Sequence, residues 1–417
     1  MKPAKLAELG PDEQAEYQAI LALRHCPRLG SRGMARLLKI YGSARQACDH
    51  AELWGQLGIR AGGAFAAGLW REGAQKEFES AAASDAAILM ACDPAYPRLL
   101  AEIADAPALL YLRGDATLLA GPCVGIVGTR NPTAKSMHVA RQFAQSLAAC
   151  GIAIVSGMAL GIDREAHVGG LQGVGKSIGV LGTGIDVIYP RTNRDIYERM
   201  AESGLLLSEF PPDTAPMAVN FPVRNRIISG LALGIVVIEA AMKSGSLITA
   251  RLAAEQNRYV FAVPGDAFNI HSLGCQNLVR QGATPVFGPQ DILDDLGPQL
   301  KACVKNAQAA PAFFGLKPGA SNKAETAPVA PAIEPVEPEP AGPADAEIAA
   351  DAAALTQGDA AARIISCLAR GPLHADLIAD RTGLPAGEIF SALLGLEMQG
   401  KVRLLPGSRY EAVEGAC

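Results

Sequence analysis

Several short segments of this chain combine glycine with small hydroxyl residues and a basic side chain, which is the chemistry of anion binding. The plainest is the turn Lys243-Ser244-Gly245-Ser246, which leads into a segment containing Thr249 and Arg251. Glycine there lets backbone amides approach an anion closely, and a helix opening at the turn adds its partial positive charge. GTRNPT (128–133), SGMALGID (156–163) and LGTGIDVIYPRTN (181–193) have the same character. Arg130, Arg224 and Arg226 are the expected phosphate contacts, because a planar guanidinium fork matches phosphate oxygens. Asn225 adds a donor, and Arg191 and Arg194 extend the basic groove. Arg224 and Arg226 carry a second reading, in which at least one of them, Arg226 above all, salt-bridges an internal carboxylate such as Glu209 or Glu239. Asp163, Asp186 and Glu239 lie among these loops; carboxylates in such places bond hydroxyls, amides or arginines more often than they move protons, and their role stays open.

Other chemistries are disfavoured by spacing or context. Gly170, Gly175, Lys176 and Ser177 spell the phosphate-loop pattern of nucleotide triphosphatases, but such a loop must follow a strand and open a helix, and here the order is reversed. His167 follows Asp163 by four residues without a recognisable nucleophile elbow, so it is expected to be a structural histidine bonding a neighbouring loop. No catalytic residue is assigned. Nine cysteines without a CxxC pair and six scattered histidines imply free thiols, and no metal or cofactor is expected.

Loops of this kind need a scaffold that gathers them on one edge. CVGIVG, IAIVSG, SIGVLG, LLLSEF, IVVIEA and YVFAVPG are mostly apolar runs of strand length, separated by amphipathic stretches near 133–149, 162–171, 194–201, 222–231 and 247–256. Apolar strands alternating with helices predict an α/β fold, a Rossmann-like doubly wound parallel sheet with both faces covered. Ligands of such sheets bind beyond the carboxyl ends of the strands, where these loops fall.

The remaining sequence divides around that core, placed at residues 88–296. Residues 11–80 predict a small helical domain, in which PRLGSRGMARLLKIYGS resembles a helix-hairpin-helix element with Arg28, Arg32, Arg36 and Lys39 as charges for a phosphate or for solvent. A Pro/Ala/Glu-rich linker is expected over 302–358; its eight prolines between 311 and 343 remove backbone donors and prevent a core. Residues 317–359 hold eight acids against two lysines, so of the chain's net charge of −5 the rest carries about +1, and a phosphate-bearing partner stays open. Residues 360–412 predict a winged helix whose third helix offers Glu388 and Glu397, an acidic face suited to protein rather than to DNA. No apolar run reaches the roughly 20 residues of a membrane span, and the opening MKPAKLAELGPDEQ meets acids before any signal-like apolar stretch, so a cytoplasmic location is expected.

Taken in order, GIVGTR, SGMALGIDREAH, VLGTGIDVIYPRTN, SEFPP, FPVRNRIISGL, EAAMKSGSLITA, VPG and GCQNLVRQGA resemble the DNA-processing protein A (DprA/Smf) family over residues 88–296. The resemblance implies sequence-independent binding of single-stranded DNA, its protection, loading of the RecA recombinase in natural transformation, and a homodimer. It places DNA contacts at Gly128, Thr129, Arg130, Ser156, Gly157, Arg224, Asn225 and Arg226, and the turn from Ser244 to Thr249 fits the same groove. Tyr189, Phe210 and Phe221 are the aromatic candidates for stacking. The rival class is an enzyme. The sheet also resembles lysine-decarboxylase-like phosphoribohydrolases, whose catalytic glutamate follows the glycine turn within one helical turn, whereas here Glu255 falls nine residues beyond Ser246.

Overall fold

The computed structural model describes residues 3–265, 269–309, 359–368, 371, 373–382, 389, 392–393, 395–397, 399–405 and 409–413. Two units form, Met1–Cys303 and Val304–Cys417. The first opens with β1 (Ala4–Lys5) and the helices α1 (Pro11–Arg24), α2 (Ser31–Tyr41), α3 (Ala44–Asp49), α4 (Gly62–Ala66) and α5 (Arg71–Ala83). β2 (Ala87–Met90), α6 (Arg98–Ala101) and β3 (Leu109–Gly114) follow. Strict alternation then begins: β4 (Cys123–Gly128), α7 (Ala134–Ala149), β5 (Ala153–Ser156), α8 (Ile162–Gly170), β6 (Ser177–Leu181), α9 (Arg194–Ser203), β7 (Leu205–Ser208), α10 (Asn220–Leu231), β8 (Gly234–Ile238), α11 (Ser246–Glu255) and β9 (Tyr259–Ala262). α12 (Leu273–Arg280), β10 (Thr284–Pro285) and the greater part of α13 (Pro289–Ala309) complete it.

The strands make one ten-stranded sheet in the order β1-β2-β3-β7-β6-β5-β4-β8-β9-β10, parallel from β7 to β10. Alternation along β8 shows how both faces are covered. Ile235 and Val237 pack with Ile227, Ile228 and Ala253 of α10 and α11, while Val236 and Ile238 pack with Phe143, Leu147 and Ile162 of α7 and α8. Each residue of such a strand enters a core, which is why the runs are apolar throughout.

β1, β2 and β3 extend the sheet antiparallel, with Tyr111 paired to Ser208 across β3 and β7. Sequence patterning assigned no strand here. β2 and β3 pair without a tight turn, since a segment containing α6 separates them, and the usual hairpin signal is therefore missing. The helices before β2 bury Tyr17, Ile20, Leu37 and Trp54 in a common core. Their hairpin turn holds Arg28 at φ 67° and closes on buried Leu29, leaving Arg28, Arg36 and Lys39 exposed.

The second unit contains α14 (Asp359–Leu368), β11 (Leu373–His374), α15 (Ala375–Thr382), β12 (Val402–Leu405) and β13 (Arg409–Ala412), with strand order β11-β13-β12, all antiparallel. Ile364, Leu368, Ile378, Leu393, Leu396 and Tyr410 form its core, and this is a winged helix. Of the two acids expected on the third helix, Glu397 is half-buried and Glu388 lies outside the described residues. The segment read as linker from 302 continues α13 to Ala309, and its residues 310–358 lie outside the described set.

Candidate nucleic-acid interface

The chain leaves β4 for β5 on one side and returns to β8 on the other. That reversal opens a crevice beyond the carboxyl ends of β4 and β8, the usual ligand position in such a sheet. Gly128 ends β4 where no side chain fits, because a Cβ would stand 2.0 Å from the Ile238 carbonyl oxygen. The loop is then tied across the crevice. Thr129 N–H donates to the Glu239 carbonyl at 2.9 Å, and the Glu239 carboxylate accepts from both the backbone N–H and the hydroxyl of Thr133, each at 2.9 Å. Thr133 in turn caps α7 by accepting from Ser136 N–H. Glu239 is thus a bracket for the first loop, at a backbone φ of 50°.

A second buried bracket joins the next two loops to α10. Asp163 Oδ2 accepts from Gly157 N–H at 3.1 Å and Ala159 N–H at 3.4 Å. Arg224 donates from Nη1 to the Gly157 carbonyl at 2.6 Å and to the Val180 carbonyl, and from Nε to Asn225 Oδ1. A Cβ on Gly157 would stand 2.7 Å from Arg224 Nη2 and 2.8 Å from Asp163 Oδ2, so only glycine allows this approach. Burial pulls the Arg224 guanidinium down to about 10; Asp163 opposes that fall and Arg130 adds to it. Burial likewise raises the Asp163 carboxyl, with Arg224 pulling it back. His167 completes the cluster. Its Nε2 accepts from Met158 N–H at 3.3 Å, so Nδ1–H donates to Ser177 Oγ at 2.8 Å, and Ser177 Oγ–H donates to the Ile154 carbonyl. Burial first, and the Arg224 charge second, hold this imidazole at about 3. Lys176 sits in the turn between α8 and β6, with Nζ on the Leu171 carbonyl, and no strand precedes or helix follows it.

Arg226 adopts the ion-pair alternative. Its Nη2 meets both carboxylate oxygens of Glu209 at 2.8 Å and its Nε lies 3.4 Å from Asp105. Burial opposes its charge, but the two carboxylates outweigh burial and raise its pKa. The expected phosphate contact is therefore not offered by this side chain as the fold places it.

What faces outward is a smaller set. Arg130 is exposed, with its guanidinium carbon 5.9 Å from the Phe221 ring centroid; Arg224 stands at the same distance from that ring. Tyr189 lies 5.4 Å from Phe221, centroid to centroid, and Arg191 beyond it is exposed. At the end of β8, Lys243 and Gly245 are exposed, Ser244 is half-buried, and its hydroxyl lies 2.7 Å from that of Ser246. Arg194 is exposed and pairs with Glu198 at 3.7 Å.

A family model described as DNA recombination-mediator protein A matches residues 87–297, and one described as DprA winged helix domain matches 346–408. Protein Smf of Synechocystis is 38% identical over 324 residues, 76% of this chain and 78% of that protein. This chain belongs to the DprA/Smf family. The DNA processing protein DprA of Bacillus subtilis is 46% identical over 202 residues, 48% of this chain and 68% of its own length. The X-ray structure of DprA from Streptococcus pneumoniae superposes with a TM-score of 0.60 at 36% identity, covering 67% of this chain and 97% of the other.

The DprA/Smf motif positions fall into three groups by exposure. Ser156, Gly157, Arg224, Arg226, Ser246 and Thr249 are buried, and Ser156 Oγ donates to the Ile126 carbonyl. Gly128, Thr129 and Asn225 are half-buried, and Arg130, Arg191, Lys243 and Gly245 are exposed. Much of the family motif is therefore packed into the edge, and a minority of it is exposed. The pairing of Phe221 with Tyr189 and with two guanidinium groups was not legible as a unit, because 32 residues separate the two rings and only the fold joins them.

Proposed function

We propose that this chain binds single-stranded DNA, without sequence specificity, along the strand-end edge of its sheet. The observation that carries the reading is the exposed Arg130 guanidinium above the Phe221 ring at the carboxyl end of β4. A cation for phosphate beside an aromatic face for a base is what a single strand requires. Lys243, Gly245 and Ser244 extend the same edge from β8, and Arg191 extends it from the loop after β6. Buried Arg224 and Asp163 serve this site by fixing the loops, and Arg226 by holding α10 against Glu209.

In the cell the chain protects incoming single strands in natural transformation and passes them to the RecA recombinase, a role supported by the recombination-mediator description of its family. It acts as a binder in the cytoplasm and not as an enzyme. Glu255, the first glutamate after the glycine turn, stands at the far end of α11, away from that turn. A homodimer is supported by exposed apolar side chains near the β9–β10 margin, with Ile270 67% and Phe287 81% exposed. Within this reading residues 11–80, 88–296, 302–358 and 360–412 are helical domain, core, linker and winged helix.

Fluorescence anisotropy of labelled oligo-dT against a duplex of equal length, at two salt concentrations, tests the site. Wild type should prefer the single strand, and Arg130→Ala with Lys243→Ala should lower both the affinity and the salt slope, by about 0.7 per lost phosphate contact. Equal binding by wild type and variant, or none at low salt, would overturn the proposal.

A further inference from the structure

The first turn of α10 carries a polar group that nothing in the fold uses. Asn220 opens this 12-residue helix and is only 8% exposed, and its side-chain nitrogen Nδ2 is buried with no hydrogen-bond partner. A buried N–H without an acceptor is destabilising, so its presence at a candidate ligand edge points to an acceptor that arrives with the ligand. The helix end is open in a second sense. Val219 occupies the cap position and supplies no side-chain acceptor to the first-turn amides.

The next residue is Phe221, whose ring is flanked by Tyr189 and by the guanidinium groups of Arg130 and Arg224. Nδ2 can only donate, and DNA offers acceptors on phosphates and on base edges. Arg130 and Lys243 already supply charge for phosphate, and a neutral amide adds little beside them. Asn220 and Phe221 share the first turn of α10, so an unused donor lies at the same helix end as the ring on which a base would stack.

We propose that Asn220 is a base-contacting residue of the single-strand site, donating from Nδ2 to a carbonyl oxygen or ring nitrogen of a base stacked against Phe221. The inference rests on the single-strand reading above. It also bears on specificity. Adenine N3 and thymine O2 present the same kind of acceptor, so one lone donor holds a base without selecting it. The nitrogen is covered, so base contact requires its cover to move; the exposed residues 215–218 lead directly into α10, and the Met217 carbonyl accepts from Asn220 N–H at 3.0 Å.

The test is a cycle between the residue and the base acceptor. Wild type, Asn220→Ser and Asn220→Asp are titrated with oligo-dT and with a strand carrying difluorotoluene, a thymine-shaped base that stacks but lacks carbonyl acceptors. Serine leaves no buried amide N–H and aspartate gains from the helix N-terminus, and melting temperatures establish that each variant is folded before titration. Wild type should bind oligo-dT about threefold to tenfold more tightly than the difluorotoluene strand, as one net hydrogen bond implies. In both variants that ratio should fall to about one, whatever the added charge of aspartate does to overall affinity. Equal binding of the two strands by wild type overturns the proposal even if the variants fail to fold, and so does an unchanged ratio in folded variants. Failure of wild type to bind either strand refutes the single-strand reading itself.

Discussion

The buried His167 makes acid stability a direct test of the bracket that orders the second loop. Its imidazole is neutral in the fold because Nε2 must accept from Met158 N–H, and a proton there would face both that N–H and the Arg224 charge. The folded-state pKa is depressed from an ordinary 6.5 to about 3, so between those values the unfolded chain binds more protons than the folded one. Stability from this group is therefore fully present above pH 6.5 and is lost as pH falls toward 3. Lowering the pH from about 7 to about 5 should remove about 2 kcal/mol through His167 alone. Asp163 works in the opposite direction, since burial raises its carboxyl, so the signature is read as a difference. Urea unfolding of wild type and His167→Gln at both pH values is the assay. Wild type should lose about 2 kcal/mol more than the variant over that interval. Parallel losses in the two proteins would refute the argument that this histidine is held neutral.

Three further outcomes follow from the same geometry. Arg226→Met leaves the Glu209 and Asp105 carboxylates without their shared partner, and chemical denaturation should show a loss of about 3–5 kcal/mol; a loss near zero would mean the pair is dispensable. Gly157→Ala drives a Cβ against Arg224 and Asp163, and should cost about 1–3 kcal/mol and weaken oligo-dT binding together. Phe287→Asp should convert a dimer to a monomer in light scattering with the fold intact, and an unchanged mass would remove this face from the interface.

The parallel core was readable because each of its strands is buried on two faces, so that runs such as IVVIEA cannot be taken for half-exposed strands or loops. Helix starts were readable where a short polar residue caps them, as Thr133 does for α7. The antiparallel strands β2 and β3 were not, because a segment holding a helix replaces the tight turn that would announce them. Within the candidate site, type and position pointed to loops that the fold gathers at the strand ends, but not to which side chains face out. Sequence leaves Arg226 open between a phosphate and Glu209, but Arg224 looks equivalent to Arg130, and Asp163 and Asp105 approach these arginines only in the fold. A guanidinium is as well suited to an internal carboxylate as to a phosphate, and only the tertiary neighbours decide between them.

Both margins of the ten-stranded sheet are two-residue strands, Ala4–Lys5 at one side and Thr284–Pro285 at the other. A proline at the margin withholds one of the few donors left there, and neither side presents a long row of open amides and carbonyls. Among the described residues this sheet therefore leaves little open backbone on which a second copy could extend it as a ribbon. Any association through this sheet would rest on the fit of side chains rather than on the addition of strand to strand.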